Sequence, residues 1–418
     1  GVTEPSQNGE GESQTPVPGE AGGEENATYV AKIGETTYES LAAAIQAIGT
    51  VGVEGNRIEL VSDTTLNAAI TIEKNVTISG KNSNGENYKI NGNSDIARSE
   101  FIVNKGTLQL EDLTLQNFGN NAATTAGIAV ISVPVDAAAD VKVVMKGVKA
   151  LAFNRNVLDI RSGSFQVIDC DFDCAPTVAE GVATLTKGIL AGLAKNKVVG
   201  TVERTTIKNT REANVAGWTS GAIEVKNNAE VTVTESNISG CKTAFLVTAR
   251  GRADDAVNND VKRDAVLTIK GGTYSASSRV LRADARDAFN TTPVNEKDVS
   301  VINVESGTFK KTDGSETDSI FSKNGTAAYA NINISGGTFS ENPSGYVISG
   351  YTTAQNADGN YVVSRVSSGG GSYYPYTPST PSKPAAPTLD KTKTDSTTAI
   401  NAAATANKYD AAEQAEVK

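Results

Sequence analysis

Apolar and polar residues alternate in short runs along most of this chain, and polar corners separate the runs. The pattern is clearest in Gly221–Gly240, which reads GAIEVKNNAEVTVTESNISG. Alternation with period 2 predicts three short strands here, whose inward-facing residues are Ile223, Val225, Val231, Val233 and Ile238. A chain that turns after every few residues is typical of a coil, so the stretch predicts one turn of a right-handed parallel β-helix.

Similar units recur along the chain, about 30–37 residues apart with one shorter step near Cys170. A period of this size indicates a solenoid, in which each turn buries its apolar face against the next. The recurring turns are predicted at Val76–Gly80, Leu113–Asn117, Gly147–Val148, Cys170–Asp173, Thr206–Asn209, Asn237–Gly240, Gly272–Tyr274, Gly307–Phe309 and Gly337–Phe339.

The last three units are the most alike and read LTIKGGTYS, INVESGTFK and INISGGTFS. Each has two alternating aliphatic residues, then a glycine, a threonine and an aromatic residue. We expect the aromatic residues Tyr274, Phe309 and Phe339 to stack in one column inside the coil, rather than to form a sugar-binding stripe on its surface.

Both ends of the repeat carry predicted caps. Before the first turn, SLAAAIQAIG predicts a short amphipathic helix with Ser40 as N-cap and Gly49 as C-cap. A helix across that end covers the backbone and core of a first turn that has no neighbour. After the last turn, Asn356–Asn360 predicts the turn of a hairpin that returns through Tyr361–Val363.

The predicted fold is therefore all-β: a single-stranded, right-handed parallel β-helix with an N-terminal capping helix and a C-terminal hairpin cap. It extends over residues 28–366. Residues 1–27 are predicted to be a disordered linker, 367–387 a linker rich in Gly, Ser and Pro, and 388–418 the start of a helical segment. Because the chain starts with Gly1 and its last segment has no stop signal, we expect a fragment of a longer protein.

Charge narrows the range of partners. The chain has 418 residues, with 38 Lys and Arg against 48 Asp and Glu and a net charge of −10. An acidic balance without a basic patch is unfavourable for binding nucleic acid or anionic membrane surfaces. No apolar run approaches the length of a membrane-spanning helix. We expect no nucleic-acid partner, no membrane insertion and a monomer.

The sequence contains no histidine. This excludes Ser-His-Asp and Cys-His catalysis, imidazole metal ligands and histidine acid–base chemistry. The three cysteines, Cys170, Cys174 and Cys241, are an odd number without metal-ligand spacing. In one strand Cys170 and Cys174 would lie ~13 Å apart, too far for a disulfide. All three are predicted to be small buried hydrophobic residues.

The two ends of the folded region resemble a known kind of protein. TYVAKIGETTYESLAAAIQAI at the start, and SGGTFSENPSGYVISGY followed by ADGNYVV at the end, are similar to sequences in secreted or wall-attached proteins of Gram-positive bacteria that contain a pectin-lyase-like β-helix. The resemblance covers residues 28–366. It implies a secreted or cell-surface location, with attachment to the cell wall through regions outside this chain. It leaves activity open, since some β-helices of this type cleave polysaccharides and many do not.

Two places carry candidate chemistry, and the first is the stretch DCDFDC, Asp169–Cys174. In a strand, Asp169, Asp171 and Asp173 would share one face, and three carboxylates on one face attract Ca²⁺. The alternative is an ordinary solvated face, since no glycine-containing loop holds these oxygen atoms in place. No other cofactor is expected.

The second place is a pair of insertions, Arg250–Asp264 and Arg279–Lys297, which are predicted at the same position of consecutive turns. Loops on one face of a solenoid are where binding usually takes place. Arginine side chains suit the carboxylates or sulfates of acidic glycans. The candidate ligand-binding residues are Arg250, Arg252, Arg263, Arg279, Arg282 and Arg286. Interleaved aspartates favour the alternative, a network of ion pairs between the two loops.

These observations favour a non-enzymatic, extracellular β-helix with a structural or adhesive role, whose expected partners are polysaccharides or host and matrix glycans. One alternative is a polysaccharide lyase that uses Arg or Lys together with an acidic Ca²⁺ site. Another is a spacer that presents the C-terminal segment. Trp218, the single tryptophan, is compatible with a place in the core and with an exposed contact.

Overall fold

The computed structural model describes most of the region predicted to fold. The described residues are 28–93, 99–116, 129–151, 155–174, 186–211, 220–249, 263–284, 298–312, 317–324 and 329–367. The chain divides into two units, Gly1–Val366 and Ser367–Lys418, and only the first residue of the second unit is described. The predicted linkers and C-terminal helical segment, in 1–27 and 368–418, lie outside the described residues, and so does Trp218.

Short strands make up most of the described chain. The first are β1 Ala31–Ile33, β2 Thr36–Tyr38, β3 Arg57–Leu60, β4 Thr64–Thr65, β5 Ile70–Ile72, β6 Val76–Ser79, β7 Lys89–Asn91, β8 Phe101–Val103, β9 Thr107–Glu111, β10 Thr114–Gln116 and β11 Ala129–Val133. They are followed by β12 Lys142–Lys146, β13 Lys149–Leu151, β14 Arg155–Ile160, β15 Ser164–Ile168, β16 Asp171–Asp173, β17 Thr186–Ala191, β18 Val198–Glu203, β19 Thr206–Lys208, β20 Ile223–Lys226, β21 Ala229–Thr234 and β22 Asn237–Ser239. The last are β23 Thr243–Thr248, β24 Ala265–Lys270, β25 Thr273–Ala276, β26 Arg279–Asp284, β27 Ser300–Val304, β28 Thr308–Lys311, β29 Phe321–Asn324, β30 Ala330–Ile334, β31 Gly337–Phe339, β32 Tyr351–Gln355 and β33 Tyr361–Arg365. The helices among the described residues are α1 Leu41–Ala47 and the 3₁₀-helix η1 Ser344–Tyr346.

Each turn of the chain places strands in three sheets. From β3 onwards, sheet A contains every third strand up to β30, sheet B every third strand from β4 to β31, and sheet C every third strand from β5 to β29. Neighbours such as β18 and β21 pair in parallel, so each coil stacks on the preceding one. We number the coils 1 to 10 by their sheet A strands, β3 to β30. The fold is a parallel β-helix, as predicted.

The coil predicted from Gly221–Gly240 is confirmed. Its three runs form β20 in sheet C, β21 in sheet A and β22 in sheet B. The five residues predicted to face inward are all buried: Ile223, Val225, Val231, Val233 and Ile238. One predicted turn was assigned to the wrong place in the coil, because Val76–Ser79 lies in sheet A whereas the later turns fall in or beside strands of sheet B.

Both predicted caps are present. Ser40 caps α1, since its side-chain oxygen accepts a hydrogen bond from the backbone N–H of Ala43 at 3.1 Å. The helix buries Leu41, Ala44 and Ile45 at the N-terminal end of the core. At the other end, β32 and β33 form an antiparallel hairpin, and β33 pairs antiparallel with β31. The hairpin therefore extends sheet B beyond the last coil.

A single apolar cluster fills the space between the three sheets, from Ala31 near the N-terminal cap to Val363 in the C-terminal hairpin. The predicted aromatic column is part of it. Ring centroids of Tyr274 and Phe309 lie 5.3 Å apart, and those of Phe309 and Phe339 lie 4.9 Å apart. All three rings are fully buried, so the column is a core feature, as predicted.

Sheet C departs from strict alternation. The backbone N–H groups of Val280 and Leu281 both donate to the carbonyl oxygen of Ile320, each at 2.9 Å, which is the arrangement of a β-bulge. Gly188 and Ile189 donate to the carbonyl of Ala222 in the same way. At a bulge two consecutive residues face the core: Val157 and Leu158, Ala222 and Ile223, Ala244 and Phe245, and Val280 and Leu281 all belong to the apolar cluster. The bulges determine which residues reach the outer side of sheet C.

Candidate functional site

The outer side of sheet C carries several buried charged side chains. We call this surface the charged face, formed by Lys187 on β17, Glu224 and Lys226 on β20, and Arg279, Arg282 and Asp284 on β26. These side chains point away from the core because their neighbours in each strand, such as Ile223 and Val225, are core residues. Register then brings residues from coils 5, 6 and 8 onto one surface.

Lys187, Glu224, Arg282 and Asp284 of the charged face are buried, Lys226 and Arg279 are half-buried, and the charges are paired. Glu224 has no exposed surface and Asp284 is 1% exposed. The ammonium nitrogen of Lys187 lies 2.8 Å from Oε2 of Glu224, and that of Lys226 lies 3.8 Å from the same oxygen. Nε of Arg282 lies 2.9 Å from Oδ2 of Asp284. Removing such charges from water costs several kcal/mol per ion before pairing offsets it.

Packing does not require charge at these positions. Glu224 and Arg282 belong to one register column that runs through Leu190, Glu224, Leu246 and Arg282. Leu190 and Leu246 are buried on the same side of the sheet and lie outside the core cluster. Aliphatic side chains therefore fit this column, and the charged ones occupy it at an energetic cost. Charged side chains that are buried at an energetic cost are typical of functional sites.

Asp284 responds to this environment. Burial raises the pKa of the Asp284 carboxyl group above its ordinary value, and the nearby cations Arg282, Lys226 and Arg279 oppose the shift. The raised pKa shows that burial outweighs attraction at this carboxylate.

The structure places two of the predicted arginines on this surface. Arg279 and Arg282 lie in β26, so the predicted loop Arg279–Lys297 is wrong at its start, where a strand runs to Asp284. Arg279 forms an ion pair of 3.1 Å with Asp318 in the next coil. These pairs differ from the predicted network between two loops, because they join strand residues to each other and to coil 9.

The other predicted arginines are not on this surface or are not described. Arg263 precedes β24, and its backbone N–H donates to Oδ1 of Asp298 at 2.9 Å. Arg250, Arg252 and Arg286 lie outside the described residues. The segments that contain them connect sheet C to sheet A in coils 7 and 8, so the two insertions do occupy equivalent positions of consecutive coils.

The predicted Ca²⁺ ligands lie elsewhere, on the side of sheet B, and each faces a basic or amide group of the next coil. Asp169 has a φ of +52° at the corner before β16 and accepts hydrogen bonds from Nε and Nη2 of Arg204, at 2.7 and 3.2 Å. The ammonium nitrogen of Lys208 lies 3.8 Å from Asp171 and 3.7 Å from Asp173. Asn209 donates to Asp173 at 2.7 Å. The carboxylates are thus engaged without a metal ion.

We expect the Asp169 carboxyl group to titrate below the ordinary aspartate range, because Arg204 lowers its pKa through hydrogen bonds and charge. Arg204→Gln should return the pKa towards its ordinary value. The small stability contribution of this exposed pair is present above the unfolded-state pKa and is lost as the pH falls through the folded pKa. Carboxyl-carbon NMR titration of both proteins tests this, and an unshifted Asp169 in the wild type would contradict it.

Calorimetric titration with Ca²⁺ tests the metal hypothesis directly. We expect no saturable heat, because Lys208 and Arg204 offset most of the charge of the three aspartates and would repel a divalent cation. Saturable heat in the wild type that is lost in Asp171→Ala would instead establish a Ca²⁺ site.

The three cysteines are buried, as predicted. Cys170, Cys174 and Cys241 lie in the interior, and none of them forms a disulfide. Burial raises the pKa of the Cys170 thiol to about 12 and that of Cys174 well above its ordinary value. At neutral pH both are protonated and unreactive.

We expect none of the three thiols to react with a thiol-specific disulfide reagent in the folded protein at mildly alkaline pH. In denaturant all three should react, because unfolding exposes the thiols to the reagent. The release of coloured product with and without denaturant measures this. Rapid labelling of the folded chain would show that the thiols are accessible.

Lys187 and Glu224 were not predicted as site residues. In the sequences TKGIL and IEVK, a charged residue beside aliphatic ones reads as a solvated strand face. Gly188 was the one local signal, since a glycine inside a strand often marks a bulge. Nothing in the local sequence indicates that the outer side of this sheet is buried.

Comparison with protein-family models, with curated proteins and with solved structures finds no match for this chain. Among the described residues, no group of three or more acidic or cysteine side chains is arranged to hold a metal ion. Nor does any described helix have the length and apolar character needed to cross a membrane.

Proposed function

We propose that this chain is a non-catalytic, rigid structural element of a cell surface or extracellular matrix. The observation that supports this most directly is the apolar cluster that continues from Ala31 to Val363 without a division between coils. A solenoid with one continuous core resists bending, because a bend at any point along its length would separate coils that are stacked on each other. The extracellular location rests on the resemblance of the end sequences.

The register gives the proposed rod a defined length. Thr71 in coil 1 and Ser322 in coil 9 belong to one column of sheet C, eight strand spacings apart. At ~4.8 Å per spacing this corresponds to ~38 Å.

Spin labels on Thr71→Cys and Ser322→Cys test the rigidity. We expect a single narrow distance distribution near ~38 Å, because the native thiols are buried and only the new ones should be labelled. A broad or two-peaked distribution would refute a rigid rod.

Antibody labelling of intact source cells tests the location, and labelling that appears only after permeabilisation would place the protein inside the cell.

The main competing function is a polysaccharide lyase. Incubation with a panel of uronic-acid polymers, followed by absorbance of the unsaturated product, should show no turnover. Turnover that disappears in Glu224→Gln would replace the structural proposal with an enzymatic one.

A second candidate function is adhesion to acidic glycans through the charged face. The charged column described above favours it, since Glu224 and Arg282 stand where leucine also fits. Arg279 and Lys226 add cationic groups to the same surface, and their side chains are 25% and 12% exposed. Cations gathered on one face suit carboxylate or sulfate groups.

Binding to an array of uronic and sulfated glycans tests this candidate. Arg279→Gln should reduce the binding, whereas Arg57→Gln serves as the matched control. Arg57 is also paired with a carboxylate, that of Glu111 at 2.6 Å, but it lies on sheet A. Equal binding by both variants and the wild type would rule out the charged face as the adhesive surface.

A further inference from the structure

Coil 2 contains two Asn-Gly pairs in opposite environments. Asn84-Gly85 lies in the connection between β6 and β7, and Asn91-Gly92 lies at the end of β7. They are separated by only a few residues and experience the same temperature and bulk pH. A difference in their chemistry that appears in the folded chain and disappears in denaturant therefore comes from the fold.

An Asn-Gly pair can modify itself. The backbone nitrogen of the glycine attacks Cγ of the asparagine, a N–Cγ bond forms, the Cγ–Nδ2 bond breaks, and ammonia leaves with the proton of the glycine nitrogen. Water then opens the cyclic imide at either carbonyl and gives aspartate or isoaspartate. Glycine favours the attack because no side chain shields its nitrogen and its backbone has the widest conformational freedom.

The loop around Asn84 permits this reaction. Asn84 and Gly85 are both exposed, and no other atom lies within 4 Å of the position of a Cβ on Gly85. The N–H of Gly85 donates to the carbonyl of Asn82 at 3.0 Å. Opening that single hydrogen bond in an exposed loop frees the attacking nitrogen, and a bond exchanged with water in this way contributes little net stability.

Asn91 is held in place by the sheet. Its Nδ2 donates to the carbonyl of Thr64 at 3.2 Å, and its Oδ1 accepts from Nε2 of Gln116 at 2.8 Å. The N–H of Gly92 donates to the carbonyl of Gln116 at 2.9 Å. Attack at Asn91 therefore requires β7 to separate from β10, which is a local unfolding event.

We propose that Asn84 is a site of spontaneous deamidation in the folded protein and that Asn91 is protected. The product carries one additional negative charge in the loop between β6 and β7. Its isoaspartate form also adds a methylene group to the backbone of that loop.

The test is incubation of the full chain at mildly alkaline pH, followed by peptide mapping with mass spectrometry that separates aspartate from isoaspartate. We expect Asn84 to convert more than about tenfold faster than Asn91 in the folded protein, since only Asn91 requires local unfolding. In denaturant the two sites should convert at similar rates. Asn84→Gln should remove the modification without changing the fold, because a six-membered imide forms far more slowly.

Two results would overturn the proposal. One is an Asn84 that stays intact in the folded protein under conditions that convert it in denaturant. The other is conversion of Asn91 as fast as Asn84 in the folded chain, which would show that the strand does not protect it. Neither result depends on the function of the protein.

Discussion

Gly163→Ala is expected to destabilise the fold by more than about 4 kcal/mol, which is exceptional for one methyl group. Gly163 lies at the corner between coils 4 and 5 with a φ of +72°. A Cβ at this position would lie 2.0 Å from the carbonyl oxygen of Val141 and 2.8 Å from its carbonyl carbon. The clash is with backbone, and that carbonyl accepts the N–H of Ser164 at 2.9 Å, so moving it away would break this hydrogen bond.

Gly55→Ala separates the cost of the left-handed backbone conformation from the cost of the steric clash at Gly163. Gly55 has a φ of +80°, but no atom lies within 4 Å of a Cβ built there. Only the left-handed backbone conformation is then unfavourable, at about 1–2 kcal/mol. Thermal unfolding of both variants measures the difference. Equal decreases in the midpoint temperature of unfolding would show that the coils stack less tightly at Gly163 than the structure indicates.

The period of the sequence was enough to predict the coil. Residues such as Val231 and Val233 alternate strictly with polar neighbours, and each is buried in a strand that pairs in register with the next coil. The aromatic column was predictable for the same reason, since Tyr274, Phe309 and Phe339 occupy one position of three similar units. Local patterning determines these features, because stacking repeats it along a single axis.

The bulges of sheet C could not be predicted in this way. In RVLRAD the two aliphatic residues Val280 and Leu281 are adjacent, which conflicts with period 2, so local alternation does not indicate the strand that begins at Arg279. The structure shows a strand whose extra residue is accommodated by two N–H groups on one carbonyl. A bulge depends on the strands on either side of it, so local alternation does not reveal it.

The ion pairs were beyond prediction for a related reason. Asp169 was a candidate metal ligand together with Asp171 and Asp173, with a solvated face as the alternative, yet its partner Arg204 is 35 residues away in sequence. Which cation faces which carboxylate depends on the register between coils and on the length of each connection. The sequence pattern predicts that a coil exists, but it does not determine the register in which its strands pair with those of the next coil.

Glu224→Leu is expected to destabilise the protein by about 3–5 kcal/mol, because it leaves the buried ammonium group of Lys187 without its carboxylate. Lys187→Leu combined with Glu224→Leu should recover most of this loss, since Leu190 and Leu246 show that aliphatic residues fit that side of sheet C. Urea unfolding of Glu224→Leu, Lys187→Leu and the double variant measures the coupling between the two positions.

An exposed ion pair provides the control. Lys270 and Glu305 lie 3.6 Å apart with half of each side chain exposed. Replacing either Lys270 or Glu305 with leucine should change the free energy of unfolding by no more than about 1 kcal/mol. If Glu224→Leu is equally mild, the Lys187–Glu224 pair is not buried as the structure shows.

The double variant also tests whether the Lys187–Glu224 pair serves binding or folding. If Lys187→Leu/Glu224→Leu folds as stably as the wild type and no longer binds acidic glycans, the buried charges are kept for binding and not for folding. If it folds and still binds, adhesion does not depend on the Lys187–Glu224 pair. If the double variant remains as unstable as Glu224→Leu, the pair is structural, and its charges then serve to fix how coil 5 sits on coil 6.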